Sequence, residues 1–511
     1  MTRRPNILFL TSDQQRGDCY GFEGRAVKTP HLDDMAKRGT RFSACITPNL
    51  VCQPSRASIL TGLLPRTHGV DDNGLDLPED LAVAAGYPST LARAGYDTAL
   101  IGKAHFNTSH TFAPTGTPEC RASSANYGAD WNGPYMGLAQ VELMLEGHNH
   151  FPPMHPPRGM HYERWYHADG RGDELTELYL KALPPLTDAA QTWNSALPVA
   201  YHNSTWIGDR TIEYLRAHRE RPFCLWASFP DPHHPFDAPE PWCRLHDPDE
   251  VDLPMHRTLD LERRPWWHKA SLDGRPAMSN DELRGFRERF SRTPVQTDAQ
   301  LRRLIANYYG MISLIDHQVG RIRLALRDLG LARDTIVVYS TDHGDWLGDH
   351  GLLLKGPMAY EGLLRVGLLV EGPGVPAGKV VDDPVSTLDL PQTFCDWAGT
   401  ALPPGAHSAS LKPLIEGDRA SRDFAYSEWE LRKSRCGVDL ALRTVRTQRH
   451  KLTLELNSGA GELYDLVDDP LEMDNRFGDP GVAAVERELR AMIASRPDDH
   501  RREPLPQVGM A

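Results

Sequence analysis

Cys52 stands at the head of an eleven-residue run, Cys52-Gln53-Pro54-Ser55-Arg56-Ala57-Ser58-Ile59-Leu60-Thr61-Gly62. Pro54 suits the first turn of a helix, where its missing N–H costs nothing, and good helix formers follow it. Cys52 then sits at the positive end of that helix, with Arg56 one turn further along the same face. A site built in this way stabilises an oxyanion or binds a tetrahedral anion. Other polar clusters follow strand-like apolar runs: Asp13-Gln14, Lys103 with His105, Asp231 through Phe236, and Asp342-His343. Each also has a purely structural reading. Cys52 could be a buried thiol before an ordinary helix, Asp13 a cap and Asn73 a turn former. Lys103 could be solvated, His105 packed, and His233 held in a proline-rich turn.

The elements that would position these residues are legible around them. The runs at 6–11, 96–101, 223–229 and 335–341 are continuously apolar, as expected of strands buried on both faces of a parallel sheet. Ligands of open α/β sheets bind at the carboxyl ends of such strands, where the polar clusters lie. Helices are expected from Pro30 through Lys37, over 89–95, over 205–217 and over 385–398. A longer one carries the stripe from Leu301 to Leu326 and stops at Gly330. Glu361 and Arg365, four apart, suit a helical ion pair. Past residue 400 the pattern changes to short strands at 424–427, 441–447, 451–456 and 462–464. The fold class is therefore α/β: a large, mostly parallel sheet flanked by helices over 1–400, then a small antiparallel subdomain over 401–511. Stretches 107–200 and 237–295 lack periodicity and read as loops that shape substrate choice. The five histidines from His148 to His167 show no metal-site spacing. Residues 497–511 read as an arm that frays or reaches across a subunit interface.

The run at Cys52 resembles C-x-P-S-R-x-x-x-x-T-G, the signature of the formylglycine-dependent sulfatases of the alkaline-phosphatase superfamily. Similar segments extend over most of the chain. Asp13-Gln14 matches the family's metal pair, Thr29-Pro30-His31-Leu32-Asp33 a structural segment, and Gly102-Lys103-Ala104-His105 its G-K-x-H element. Pro232-His233-His234-Pro235-Phe236 matches P-H-x-P-F and selects His233 over His234. From Asp342 to Lys355 the chain resembles D-H-G-x-x-x-G-x-H-x-x-x-x-K, and Tyr464-Asp465-Leu466 with Asp469-Pro470 resembles the family's ending.

The resemblance implies roles residue by residue. Cys52 is oxidised to formylglycine by a formylglycine-generating enzyme, and Asp13, Gln14, Asp342, His343 and residue 52 hold one divalent metal. Lys103, Lys355 and Arg56 supply positive charge to the sulfate. His105 orients the reactive hydroxyl or the leaving group, and His233 or His105 is the general acid to the leaving oxygen. Asn73, 21 residues after Cys52, lies beside the reacting group. Lys103 and His105, two apart on an extended segment, are expected to point the same way. His350 orders its loop. One imidazole among oxygen ligands favours Mn2+ over Ca2+.

At 511 residues and a net charge of −13, the chain lacks the basic surface of a nucleic-acid binder, and any anion must be held by local cations. Eight scattered cysteines without a C-x-x-C pair read as reduced thiols. The first apolar run is too short for a signal peptide and no run spans a membrane, so a cytoplasmic, homo-oligomeric enzyme is the expectation. The expected reaction is hydrolysis of a sulfate monoester, aryl sulfates foremost. Phosphonate monoester hydrolases share the D-Q and D-H pairs, and choline sulfatases share D-Q and G-K-x-H-F. A non-catalytic binding protein on the same fold would have lost Cys52, Arg56 or a metal ligand.

Overall fold

The computed structural model describes residues 4–145, 151–417 and 422–510. Its main sheet has eight strands among the described residues: β1 (Asn6–Ser12), β2 (Thr40–Phe42), β3 (Asp97–Gly102), β4 (Gln140–Leu143), β5 (Phe223–Ser228), β6 (Thr335–Thr341), β7 (Leu368–Glu371) and β8 (Lys379–Val381). They lie in the order β8-β2-β7-β6-β1-β5-β3-β4. Every pairing is parallel except those of β7 with β2 and β6. The continuous apolar runs are explained by alternation between two covered faces. Ile7, Phe9, Leu100, Trp226 and Val338 enter a core shared with Ile59 and Phe394. Leu8, Leu10, Ile101, Leu225 and Tyr339 enter the opposite core with Leu215, Ile315 and Val319.

Register sets the site. Ser12 pairs with Thr341, Thr11 with Ser228, and Gly102 with Ser228, so four parallel strands end level at one edge. Asp13, Lys103, Asp342 and the loop to His233 leave the sheet from that edge. Above it lies α1 (Cys52–Thr61), all ten residues of which are buried, closed by Gly62 at φ 71°. A buried helix with this many polar residues must hydrogen-bond them internally. Ser55 Oγ donates to the carbonyl of Asp342 at 2.7 Å, and Thr61 Oγ1 to that of Ala57 at 2.7 Å.

The helix carrying the long stripe runs over Asp298–Asp328, started by a capping box between Thr297 and Gln300. The four short strands form an antiparallel meander of Ala425–Leu431, Leu440–Arg446, His450–Glu455 and Gly461–Asp465, as expected. All eight cysteines are free. No described helix is long and apolar enough to cross a membrane.

Several expectations are corrected. The helix expected over 385–398 begins only at Leu390, because Val385–Ser386 pairs with Cys45–Ile46 and Asp389 caps the turn between. Glu361 and Arg365 do not pair, since the helix there stops at Leu364 and Arg365 is extended. Glu361 instead faces Arg446 and Lys451, while Arg365 faces Glu23. The loop-like stretches contain β4 and the helices His161–His167, Gly172–Leu180, Trp266–Asp273 and Asp281–Phe290. His148 and His150 lie outside the described residues. The described part of the arm after residue 497 does not fray but packs on its own chain. Val508 N donates to Gly74 O and Met510 N to His110 O, and Met510 is buried.

Candidate active site

Four strand ends and one helix start converge. Cys52 Sγ lies 3.0 Å from His343 Nε2, 2.9 Å from Lys355 Nζ and 3.7 Å from Asp13 Oδ1. Ligand-type atoms of Asp13, Cys52, Asp342 and His343 all lie within 4.8 Å of one another. Cys52, Asn73, Lys103, His105, His233 and Lys355 line one cavity. Thus of the eleven residues expected to act, six share the cavity wall, and Asp13, Asp342 and His343 form its buried floor with Cys52.

Arg56 is placed differently. Fully buried, it donates from Nε to Asp342 Oδ2 at 2.8 Å and from Nη1 to Lys103 O and Ser228 Oγ, both at 2.9 Å. Its Nη2 lies 3.5 Å from Asp13 Oδ2. Arg56 therefore ties together the ends of β3, β5 and β6 and does not line the cavity. Gln14 is also held from behind: its Nε2 donates to Asp345 Oδ2 at 2.6 Å and lies 3.2 Å from His234 Nδ1. Its backbone N–H donates to Asp342 Oδ1.

Lys103 and His105 do reach the same cavity, though not by strand alternation. β3 ends at Gly102 and His105 sits at φ 54°, so a left-handed turn brings it round. Gln14 at φ 65° and Leu354 at φ 67° share this unfavourable region, which non-glycine residues occupy mainly where the surroundings impose it. Asn73 Oδ1 accepts from Gln53 N at 3.1 Å, fixing it beside the start of α1. His350 stacks on Tyr360 at 3.9 Å, in keeping with a loop-ordering part.

The electrostatics suit an anion above a cation. Burial and the Asp13 carboxylate push the Cys52 thiol up, but Lys355, Lys103 and His343 outweigh them and bring it down to about 6. Burial works against charge on Asp13, yet Lys103, Arg56 and Lys355 hold it well below the usual carboxylate range. Asp342 moves the other way: burial and the neighbouring Asp13 raise it despite Arg56. A divalent cation between the two carboxylates would relieve that repulsion.

The residues fit such an ion on two further observations. Asp13 Oδ2 is buried without a hydrogen bond; Lys103 Nζ touches it at 2.5 Å as an ion pair only. His343 Nδ1 faces Gly344 O at 2.8 Å, so that nitrogen carries a proton and Nε2 is the ring nitrogen turned to the cluster. His233 is locked the same way, Nδ1 against His234 O at 2.7 Å, with Nε2 2.9 Å from Lys355 Nζ. A second grouping, His256, Asp260 and His350, already engages the guanidinium of Arg264.

Some of the cavity was not foreseen. Glu119 Oε1 accepts the N–H groups of Phe106 and Asn107, both at 3.0 Å, and Tyr135 OH at 2.6 Å, fixing the turn after His105. Phe286 and Arg287 come from the second insertion and Met510 from the terminal arm. Asp345, in the run after Asp342, orients Gln14; the run itself was visible, the contact was not.

Comparison with known proteins bears on the family and the fold. The Sulfatase family matches residues 5–400, and the C-terminal region of N-sulphoglucosamine sulphohydrolase matches 348–498. An arylsulfatase of Clostridium perfringens is 29% identical over 488 residues, covering 92% of this chain and 90% of that protein. The phosphonate monoester hydrolase of Agrobacterium radiobacter is 25% identical with a TM-score of 0.72, covering 96% of this chain and 95% of that one. That of Silicibacter pomeroyi, at 24% identity, shares the fold with a TM-score of 0.78 over the same shares. With a family match reaching from the start of β1 past the end of β8, the protein belongs to the Sulfatase family.

Proposed function

We propose that the protein is a sulfuric ester hydrolase of the arylsulfatase type, with residue 52 acting as formylglycine. The observation that carries this reading is the single thiol set among Asp13, Asp342 and His343 ligand atoms within 4.8 Å, with Lys355 2.9 Å away. Sγ stands where the oxygens of a hydrated aldehyde would lie. Oxidation of the –CH2SH side chain to –CHO by an O2-dependent formylglycine-generating enzyme, with the sulfur leaving as sulfide, and then hydration, place two hydroxyls on one carbon. One attacks sulfur as the alcohol leaves; the other then loses its proton, the carbonyl re-forms and sulfate is expelled. Water restores the hydrate. A serine would instead be left as a stable sulfate ester, so the second hydroxyl is the release step.

Asp13, Gln14, Asp342 and His343, with residue 52, would hold a divalent cation, which lowers the hydroxyl's pKa and neutralises sulfate charge. Lys103 and Lys355 then face the non-bridging oxygens, each donor contributing about 3 kcal/mol if comparable to an oxyanion-hole group. His233 protonates the leaving oxygen from Nε2, its ring held by His234 O. His105 stays neutral, because burial, Lys103 and Arg56 hold it well below its ordinary value. It orients the reactive hydroxyl. Arg56 acts through the carboxylates it holds.

The alcohol side of the cavity supports an aryl group. Phe286 stacks on Phe151 at 4.9 Å and on His110 at 5.6 Å. Arg287 and Arg435 on the same wall disfavour the cation of choline sulfate. Phosphonate monoester hydrolysis is a second reading, favoured by the Asp13-Gln14 and Asp342-His343 pairs. Mass spectrometry over residues 50–60 should find SH2 replaced by O, and kcat/KM should be higher for an aryl sulfate than for a phenylphosphonate monoester. An unmodified peptide in active enzyme, or the reverse preference, would refute the assignment.

A further inference from the structure

Arg287 is 5% exposed on the helix Asp281–Phe290, yet no carboxylate among the described residues pairs with it. Its Nη2 donates to Met510 O, and its Nε, also buried, has no hydrogen-bond partner. The charged group nearest to it in effect is another cation, Arg435; Asp72 is the acid in reach, and Asp72 is already engaged by Arg435 Nη1 at 3.2 Å. Two guanidinium groups thus share one carboxylate. Burying a guanidinium without a counter-ion is costly, and proteins keep such an arrangement where an anion completes it.

Both arginines line the cavity that holds Cys52. The two positive groups are held by different acids, Lys103 by Asp13 at 2.5 Å and Arg435 by Asp72 at 3.2 Å. The same lining holds an aromatic group: burial and Arg121 bring His110 down to about 3, so its ring is neutral beside Phe286 and Phe151. Glu119, also on the lining, has Oε1 turned to the backbone of Phe106 and Asn107.

We infer that Arg287, assisted by Arg435, recognises a second anionic group on the substrate, so that the preferred substrate is an aryl sulfate bearing a carboxylate at the far end of the ring system. This rests on the aryl sulfate reading for its turnover test, but not for its binding test. A guanidinium meeting a carboxylate gives a charge-assisted, often bidentate contact. The pocket was built with the cation in place, and a neutral ring would leave it unpaired.

The test compares 3-(sulfooxy)phenylacetate with its methyl ester, in which the methylene keeps the leaving phenols similar. The carboxylate should have kcat/KM higher by roughly 10- to 100-fold, the size of one charge-assisted hydrogen bond. Arg287→Gln should bring that ratio to within about threefold, through KM, and Arg287→Lys should restore part of it. Binding of both compounds to the Cys52→Ala protein, by calorimetry, should show the same preference without turnover. Thermal melts establish that the Arg287 variants fold. Equal kcat/KM and equal affinity for acid and ester would overturn the inference while leaving the sulfatase reading intact. Arg287→Gln lowering both substrates alike would also overturn it. Preferential binding of the acid with no turnover of either compound would support it and sink the sulfatase reading instead.

Discussion

Arg56 Nε and Asp342 Oδ2 lie 2.8 Å apart with neither residue open to solvent, joining the helix that begins at Cys52 to the end of β6. The pair links a metal-type carboxylate to the element carrying the reactive residue, and the same guanidinium reaches β3 and β5. Breaking a buried pair by removing one partner destabilises by about 3–5 kcal/mol, because the other charge is left uncompensated. Arg56→Ala should therefore lower the melting temperature markedly. It should also weaken metal affinity by about 10- to 100-fold, as loss of a group that orients a ligand does. Thermal denaturation and a metal titration read the two effects. An Arg56→Ala protein with wild-type melting and metal affinity would show that the clamp is incidental.

As a proposed ligand, His343 should decide which ion the site prefers. As the one imidazole in an oxygen-rich set, it is expected to tip the donors toward Mn2+. Elemental analysis of the isolated enzyme should find manganese ahead of calcium. In chelated and reloaded protein, His343→Asn should shift the preference toward Ca2+, which takes carbonyl oxygens. Stoichiometric calcium alone in the wild type would contradict this ordering.

Glu119 gives a pH dependence away from the metal ligands. Burial raises its carboxyl to about 7, even though Tyr135 and the Asn107 and Phe106 N–H groups favour the ionised form. A carboxyl whose folded pKa lies above its unfolded value near 4.5 lends stability below pH 4.5. That stability is lost as the pH rises through about 7, a change on the order of 3 kcal/mol. Glu119→Gln keeps the accepting oxygen and removes the titration. The variant's melting temperature should gain on the wild type between about pH 4.5 and pH 7 and level off above that. Parallel curves would count against a buried, protonated Glu119.

The terminal arm closes one side of the cavity. Val508 and Met510 add backbone hydrogen bonds to Gly74 and His110, and Met510 is 1% exposed. Fully burying such a side chain contributes about 2 kcal/mol. Deleting residues 505–511 should raise KM for an aryl sulfate severalfold while changing kcat less. Unchanged KM would place the arm outside the substrate's reach.

Much of the sheet and floor of the site was legible in the sequence, for a physical reason. Strands buried on both faces read as unbroken apolar runs, so residues 6–11 and 335–341 could be placed, and parallel ends bring Asp13 and Asp342 to one edge. The Cys52 helix was legible from Pro54 and the good helix formers after it. What depended on backbone detail was not: His105 reaches the cavity through a positive φ that an alternation rule cannot supply. Contacts between distant segments were hidden as well. Arg287 comes from an insertion without periodicity, and Met510 pairs with His110, 400 residues earlier in the chain. Glu361 and Arg365 mislead because spacing means nothing where the helix is a single turn.

The most direct test of the account is turnover of an aryl sulfate by Cys52→Ala beside the wild type, both coexpressed with a formylglycine-generating enzyme and loaded with Mn2+. Loss of a nucleophile acting within a unit costs on the order of 10^4-fold or more in kcat. The account predicts a fall of that size with the fold intact; turnover within a few-fold of the wild type would contradict it.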